Sequence, residues 1–185
     1  MSAIKPICVP IFLCGFMGCG KTSAGRLAAD KLRMAFIDLD VYISEQAQLT
    51  IPEIFAQHGE PHFRKLETAA ISEIVSGLYF GEAGSPLMAS LVALGGGAII
   101  NPDNAEIINS GGISIFLDVD FSTCYERIKN DPNRPLAYNS ERSKLEELYI
   151  NRKRIYTEHS QFAVDGNANL NTIAERIIKI YNADI

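Results

Sequence analysis

A glycine-rich segment near the start of the chain is the feature that most restricts its fold. Residues Gly15 to Thr22 read Gly-Phe-Met-Gly-Cys-Gly-Lys-Thr, which fits the pattern Gly-x-x-x-x-Gly-Lys-Ser/Thr. The apolar run Ile11 to Cys14 precedes this segment, and apolar residues at helical spacing follow it. Backbone N–H groups of such a loop, with the positive end of the helix that follows, can hold an anion. The segment therefore predicts a strand, a phosphate-binding loop and a helix.

The last residues of this loop have the chemistry of a nucleoside triphosphate site. Lys21 can reach the β- and γ-phosphates, and the hydroxyl of Thr22 can ligate magnesium. Cys19 lies between two loop glycines, so we expect its thiol to be exposed beside positively polarised amides. The alternative is a glycine turn that ends a strand and binds nothing. The order of strand, loop and helix favours the nucleotide site.

Four further apolar runs are interpreted as buried strands. They are Met34 to Ile37, Leu91 to Leu94, Ile113 to Leu117 and Phe162 to Val164. Short apolar runs that alternate with helical patterns are typical of a parallel α/β sheet with helices on its faces. We therefore predict that class of fold.

Start signals and apolar periods predict the helices between these strands. Thr50 and Glu53 have the spacing of a capping box, and Thr172 and Glu175 repeat it near the end of the chain. Further helices are predicted to start near Lys21 and to cover Glu60 to Ile74 and Leu145 to Tyr156.

Composition restricts the partners more than the fold. The chain has 185 residues, a net charge of −5 and an isoelectric point near 5.2, so we expect one domain and no nucleic-acid partner. Its four cysteines form no Cys-x-x-Cys pair, which favours a reduced, cytoplasmic protein without zinc. The apolar stretch Ile7 to Leu13 is too short to span a membrane and lacks a signal-peptide cleavage pattern. We also expect a monomer without a membrane partner.

Two carboxylates follow the second predicted strand. Asp38 and Asp40 are separated by one residue, and residues i and i+2 of a strand point to the same side. We therefore expect both to face a cleft at the carboxyl edge of the sheet, where this class of fold binds ligands. Asp38 would organise magnesium and its waters, and Asp40 would hold or deprotonate an accepting hydroxyl. The alternative is a helix N-cap and a solvated acid.

A cation on a predicted helix is a candidate ligand for a carboxylate. Arg64 follows Phe63, and its planar guanidinium suits two-point contact with a carboxylate. Glu60 and Glu67 lie four and three residues from Arg64, so an ordinary surface pairing is the simpler interpretation from spacing alone.

A run of three glycines and two more arginines complete the candidates. Gly95 to Gly97 ends a predicted strand and either permits close ligand approach or forms a mere tight turn. Arg134 lies in the polar segment Asn130 to Arg142, for which we predict a mobile surface loop. There it would act like an arginine finger. Arg152 lies on the next predicted helix and is alternatively a solvated charge.

Together these residues indicate a kinase that transfers the γ-phosphoryl group of ATP to a hydroxyl of a small anionic metabolite. A kinase of gluconate or of a nucleoside monophosphate remains an alternative within the same class. A nucleotide-binding regulatory domain without turnover is an alternative of a different class. A structural protein with a fortuitous phosphate loop is the weakest of these.

Over nearly its full length the chain resembles the shikimate kinase family. The residues that carry this resemblance are the loop Gly15 to Thr22, Asp38-Leu39-Asp40, the segment Gly59 to Arg64, Gly95-Gly96-Gly97, Asn133-Arg134-Pro135-Leu136, and Arg152 with Tyr156. The resemblance implies a three-layer P-loop kinase fold with a central five-stranded parallel sheet, similar to nucleoside monophosphate kinases. It also implies ATP and Mg²⁺ as cofactors and phosphorylation of the 3-hydroxyl of shikimate on the route to aromatic amino acids.

The resemblance further implies a role for each site residue. ATP would contact Gly18, Cys19, Gly20, Lys21, Thr22 and Ser23, with Arg127 near the adenine and Arg134 reaching ATP from a lid at about 130–142. Shikimate would bind a subregion at about 40–68 and the glycines, through Asp40, Phe55, Phe63, Arg64, Gly95, Gly96, Gly97 and Arg152. Thr22 and Asp38 would serve magnesium, and Lys21, Asp40 and Arg134 would be the catalytic residues.

Overall fold

The computed structural model describes residues 9–77, 90–131 and 141–184. Its strands are β1 (Ile11–Cys14), β2 (Ala35–Asp38), β3 (Ser90–Ala93), β4 (Ile113–Asp118) and β5 (Phe162–Asp165). Its helices are α1 (Lys21–Leu32), α2 (Leu39–Ala47), α3 (Ile51–His58), α4 (Glu60–Val75), α5 (Pro102–Gly111), α6 (Phe121–Ile128), α7 (Arg142–His159) and α8 (Leu170–Asp184). A short 3₁₀ turn covers Ala98–Ile100.

The strands form one parallel sheet in the order β2-β3-β1-β4-β5. The predicted five-stranded parallel sheet is therefore confirmed, and each apolar run lies within a residue or two of a strand. The connection from β1 to β2 runs across the sheet in one direction, and that from β3 to β4 runs in the other. Right-handed crossovers in opposite directions place their helices on opposite faces. The crevice where the directions diverge, beside the carboxyl end of β1, is where such sheets bind ligands.

Helices cover both faces of the sheet and give three layers. On one face α1 packs against β2, β3 and α8, while α5 and α7 contact β4 on the other. Helix α1 lies close to the sheet because Gly25 has no side chain: a methyl group there would lie 2.8 Å from Leu91 Cδ2. Phe12, Leu13 and Ile115 are fully buried between the layers. This burial on both faces explains why the strands appear in the sequence as continuous apolar runs.

The register brings two glycine-rich segments together at the carboxyl edge. Leu13 of β1 pairs with Ala93 of β3, and the N–H of Leu94 donates to the carbonyl of Leu13 at 2.9 Å. Consequently the run Gly95 to Gly97 leaves the sheet directly beside the start of the phosphate loop.

Two predictions about local structure are wrong. Strand β2 ends at Asp38 and α2 begins at Leu39, so Asp38 and Asp40 are not alternate residues of one strand. Helix α8 begins at Leu170, before the predicted start at Thr172. Its first turn is capped by Asn169, whose Oδ1 accepts from the backbone N–H of Thr172 at 3.0 Å.

Other helix predictions are confirmed. The Thr50 side chain accepts from the N–H of Glu53, and the Glu53 carboxylate accepts from the N–H of Thr50. This reciprocal capping box starts α3 as expected. From the sequence we predict no helix over α2, α5 or α6, each of which is short. In the described ranges no helix combines the length and apolar character that a membrane crossing requires.

The capping assignment at α8 predicts unequal effects of two neighbouring substitutions. Asn169→Ala removes the acceptor for the first turn and should lower the free energy of unfolding by about 1 kcal/mol, or about 2–4 °C in Tm. Thr172→Ala keeps that acceptor and should have a smaller effect. Thermal unfolding followed by circular dichroism measures both. A larger loss of stability from Thr172→Ala than from Asn169→Ala would instead assign the cap to Thr172, as the sequence predicts.

Candidate active site

A cavity of about 470 Å³ lies at the carboxyl edge of the sheet. It is lined by the phosphate loop, by Asp38 and Asp40, and by the residues that follow β3. Of its remaining lining residues, only Arg127 is expected at the site from the sequence. The full lining is Met17, Gly18, Cys19, Gly20, Lys21, Thr22, Ser23, Asp38, Asp40, Leu94, Gly95, Gly96, Arg127, Ile128, Asp131, Ala168, Leu170 and Ile173.

The phosphate loop requires glycine where its backbone turns. Gly18 and Gly20 have φ angles of 79° and 96°, which residues with side chains rarely adopt. A methyl group on Gly18 would also lie 2.8 Å from the carbonyl oxygen of Cys124 in α6. Arg127 of the same helix donates to the carbonyl of Gly18 at 3.0 Å. Helix α6 therefore supports the loop from behind.

The charge of Lys21 lies over the start of the loop. Its Nζ donates to the carbonyls of Gly15 and Phe16 at 2.8 and 3.1 Å. The N-terminus of α1, which follows Gly20, adds unpaired N–H groups and the positive end of its dipole. A polyanion in this part of the cavity would meet positive potential from the side chain and from the backbone.

Thr22 and Asp38 form the pair expected at a magnesium site. The Thr22 hydroxyl donates to Asp38 Oδ2 at 3.1 Å. Among the described residues no group of three or more His, Cys, Asp or Glu converges on a common point. Magnesium at phosphoryl-transfer sites takes one or two protein oxygens and fills its remaining positions with phosphate oxygens and water. One hydroxyl and one carboxylate therefore fit Mg²⁺.

Each glycine of the run Gly95 to Gly97 faces a different charged side chain. A methyl group on Gly95 would lie 2.6 Å from Asp40 Oδ1, and one on Gly97 would lie 2.9 Å from Arg64 Nη1. A methyl group on Gly96 would lie 3.5 Å from Arg152 Nη1. Three side chains from α2, α4 and α7 thus converge on one turn, where the absence of glycine side chains leaves room for them.

Arg64 pairs with two carboxylates of its own helix and also lies against the glycine turn. Its guanidinium pairs with Glu60 at 2.8 Å and with Glu67 at 3.1 Å, as helical spacing predicts, while it also lies against Gly97. Burial alone would lower the pKa of Arg64, but hydrogen bonds and charges from Glu60 and Glu67 raise it above its usual value. The cation is therefore held charged at the turn.

Glu67 supports the site through Arg64, although the sequence gives it no role beyond its helical spacing from that residue. Its side chain is 1% exposed. Burial raises the pKa of Glu67, the Arg64 cation opposes that shift, and the nearby Asp40 and Glu60 carboxylates add to it. Spacing alone does not distinguish a buried ion-pair partner from a solvated one. The fold shows that Glu67 is the buried partner of Arg64.

Two aromatic side chains lie beside Arg64. Phe63 of α4 is buried, and Phe55 of α3 is 39% exposed, with their ring centroids 5.0 Å apart. The Arg64 guanidinium lies 5.3 Å from the Phe63 ring centroid. The exposed Phe55 ring gives the predicted 40–68 subregion an apolar surface.

One expectation, for Cys19, is wrong, and another, for Arg134, concerns residues that the structure does not describe. The thiol of Cys19 is not exposed as expected: Cys19 is 2% exposed and contacts the interior of the loop. Arg134 and most of the predicted lid at 130–142 lie outside the described residues.

Comparisons with known proteins identify the family of this chain. The sequence model of the shikimate kinase family matches residues 17–182. A shikimate kinase of Staphylococcus aureus (strain MSSA476) is 39% identical over 149 residues, which cover 80% of this chain and 79% of that protein.

Solved structures of similar proteins extend the likeness to the fold. Shikimate kinase from Acinetobacter baumannii, solved in complex with shikimate, has a TM-score of 0.81 and 31% identity, with 96% of this chain and 94% of that chain covered. Shikimate kinase from Bacteroides thetaiotaomicron has a TM-score of 0.78 and 29% identity, with 94% and 98% covered. The chain belongs to the shikimate kinase family.

Proposed function

We propose that this chain transfers the γ-phosphoryl group of ATP to the 3-hydroxyl of shikimate, which gives shikimate 3-phosphate and ADP. Family membership supports the reaction, and the similar structure solved with shikimate supports the acceptor. The observation that carries the proposal is the turn Gly95 to Gly97. It holds one carboxylate and two guanidinium groups beside a phosphate loop.

ATP would lie along the cavity with its phosphates over the loop. The N–H groups from Gly18 to Ser23 and the Lys21 ammonium would bind the phosphate oxygens. The base would lie beside Arg127, Leu170 and Ile173, which also line the cavity. Thr22 and Asp38 would hold Mg²⁺, which neutralises charge on the β- and γ-phosphates when bound. Family membership supports keeping Arg134 as a further ATP contact.

Shikimate would bind at the glycine turn. Its carboxylate suits the paired guanidinium groups of Arg64 and Arg152, since planar forks give two-point contact with a carboxylate. Gly95 to Gly97 permit the ring to approach the backbone, and the exposed face of Phe55, packed on Phe63, would form an apolar wall. The ring hydroxyls would then face Asp40 and the phosphate loop.

In the chemical step, the 3-hydroxyl oxygen forms a bond to the γ-phosphorus while the bond from that phosphorus to the β-phosphate oxygen breaks. Asp40 orients the hydroxyl and accepts its proton. Lys21 stays on the phosphate oxygens and stabilises the charge that moves onto ADP. Most of the rate enhancement comes from alignment and fixed charge, because phosphoryl transfer needs little covalent chemistry from the protein.

The same geometry weighs against the other acceptors. Two arginines around Gly96 and Gly97 suit a compact carboxylate better than the base of a nucleoside monophosphate. Gluconate also has a carboxylate but lacks a rigid ring to fill the space beside Phe55.

We further propose a monomeric, cytoplasmic enzyme whose partners are small molecules. Its described cysteines, Cys14, Cys19 and Cys124, are free thiols, as expected in a reducing compartment.

An acceptor panel tests the function directly. We expect ADP release to depend on shikimate, with little release for gluconate, nucleoside monophosphates or water alone, in a coupled assay with ATP and Mg²⁺. Turnover with gluconate and not with shikimate would show that gluconate is the acceptor. ATP binding without turnover on any acceptor would favour a regulatory domain.

Asp40→Asn tests the catalytic assignment. Loss of the proton acceptor should lower kcat about 100-fold or more, while the KM for ATP changes little, because the loop contacts remain. Asp103→Asn, at an exposed carboxylate in the first turn of α5, is the matched control and should keep wild-type rates. Asp40→Asn with an unchanged kcat would remove Asp40 from the mechanism.

Arg64→Lys tests the carboxylate site while it keeps a positive charge near Glu67. Lysine lacks the planar fork, so the KM for shikimate should rise about tenfold or more and the KM for ATP should stay constant. Arg154→Lys on α7, whose cation is 77% exposed and pairs loosely with Glu158 at 3.8 Å, controls for the chemical change. Equal effects of the two variants on shikimate would contradict the assignment.

A further inference from the structure

The inner face of α7 carries four side chains at helical spacing, Tyr149, Arg152, Lys153 and Tyr156. Three of them fix the helix to the carboxyl edge of the sheet. Tyr149 donates from its hydroxyl to the carbonyl of Val119 at 3.0 Å, and Lys153 Nζ lies 2.7 Å from Asp118 Oδ1. Tyr156 is the third, and it contacts the turn that the proposed function assigns to the acceptor.

The hydroxyl of Tyr156 donates to the carbonyl of Gly96 at 2.6 Å. Its ring is 1% exposed and lies 5.4 Å from the Phe116 ring, centroid to centroid. This contact joins residues 60 positions apart in the sequence. It gives the carbonyl of Gly96 a donor from a rigid, buried side chain instead of from water.

Arg152 lies on the same side of Gly96 as this hydroxyl. A methyl group on Gly96 would lie 3.5 Å from Arg152 Nη1 and 3.8 Å from the Tyr156 hydroxyl oxygen. Burial raises the pKa of the Tyr156 hydroxyl, and the Arg152 cation acts against that shift from close by. The hydroxyl therefore stays protonated at neutral pH. Because its one hydrogen is donated to Gly96, its oxygen lone pairs are available to the guanidinium.

We propose that Tyr156 is a positioning residue for the acceptor: through one hydroxyl it fixes the Gly96 turn and the Arg152 guanidinium relative to each other. This inference rests on the proposed function, which gives Arg152 and Gly96 to the acceptor. An arginine side chain has many rotamers, and a carboxylate gains two-point contact only when the fork is already aligned. Tyr156 supplies that alignment without touching shikimate.

If Tyr156 positions the acceptor site, loss of its hydroxyl should raise the KM for shikimate and leave the KM for ATP nearly unchanged. Tyr156→Phe keeps the ring packed on Phe116 and removes only the hydroxyl. We expect the KM for shikimate to rise about tenfold, which is the size of one lost hydrogen-bonded alignment. The KM for ATP should change less than twofold, because the phosphate loop keeps its own contacts.

Tyr149→Phe is the matched control. It removes a buried hydroxyl that also donates to a backbone carbonyl from the same face of α7, so it should lower Tm by a similar amount. Its KM for shikimate should equal that of the wild type. If both variants raise the KM for shikimate equally, or if Tyr156→Phe raises neither KM, Tyr156 is only structural and the inference is overturned. Circular dichroism confirms that each variant is folded.

A double-mutant cycle with Arg152→Lys separates this inference from the proposed function. Calorimetry of shikimate binding should give a large loss for Arg152→Lys and little further loss when Tyr156→Phe is added, because Tyr156 acts through the Arg152 fork. Additive losses would overturn the positioning role. Weaker binding in Arg152→Lys with none in Tyr156→Phe overturns the inference alone. No loss in Arg152→Lys overturns the carboxylate assignment, and the inference with it.

Discussion

The lack of side chains at Gly95, Gly96 and Gly97 is the constraint on which the rest of the site depends. A methyl group at the first or third position would lie within 3 Å of a charged atom of Asp40 or Arg64, closer than van der Waals contact permits. The turn follows the end of β3. Strand β3 pairs directly with β1, and β1 leads into the phosphate loop. The residues proposed to bind the acceptor and the phosphate loop thus share one sheet edge.

The two carboxylates around Arg64 explain how one arginine can be both structural and available to a ligand. Glu67 is buried, so its pair with Arg64 is sheltered from solvent and fixes the base of the guanidinium. Glu60 is 64% exposed, and an ion pair in that setting contributes little. In the proposed complex, the shikimate carboxylate would therefore replace Glu60 at small energetic cost while Glu67 keeps the guanidinium oriented.

Much of the fold and part of the site follow from the sequence. Strands buried on both faces appear as apolar runs, and the loop Gly15 to Thr22 locates the phosphate site. Strand geometry predicts that Asp38 and Asp40 face one cleft; that geometry is wrong, yet both line the cavity because β2 ends directly in α2. The burial of Glu67 and the approach of Leu170 to the cavity depend on packing between distant segments, which local patterns do not contain.

The buried position of Cys19 has a consequence for redox chemistry. Among the described residues, three cysteines lie in or next to the phosphate loop, and all three are buried. Burial raises the pKa of the Cys14 and Cys124 thiols to about 12, so both stay protonated at neutral pH, and the thiolate is the species that oxidants and alkylating agents attack. Packing thus protects the cysteines in and next to the loop, and thiol reagents would reach these three residues only after the loop opens.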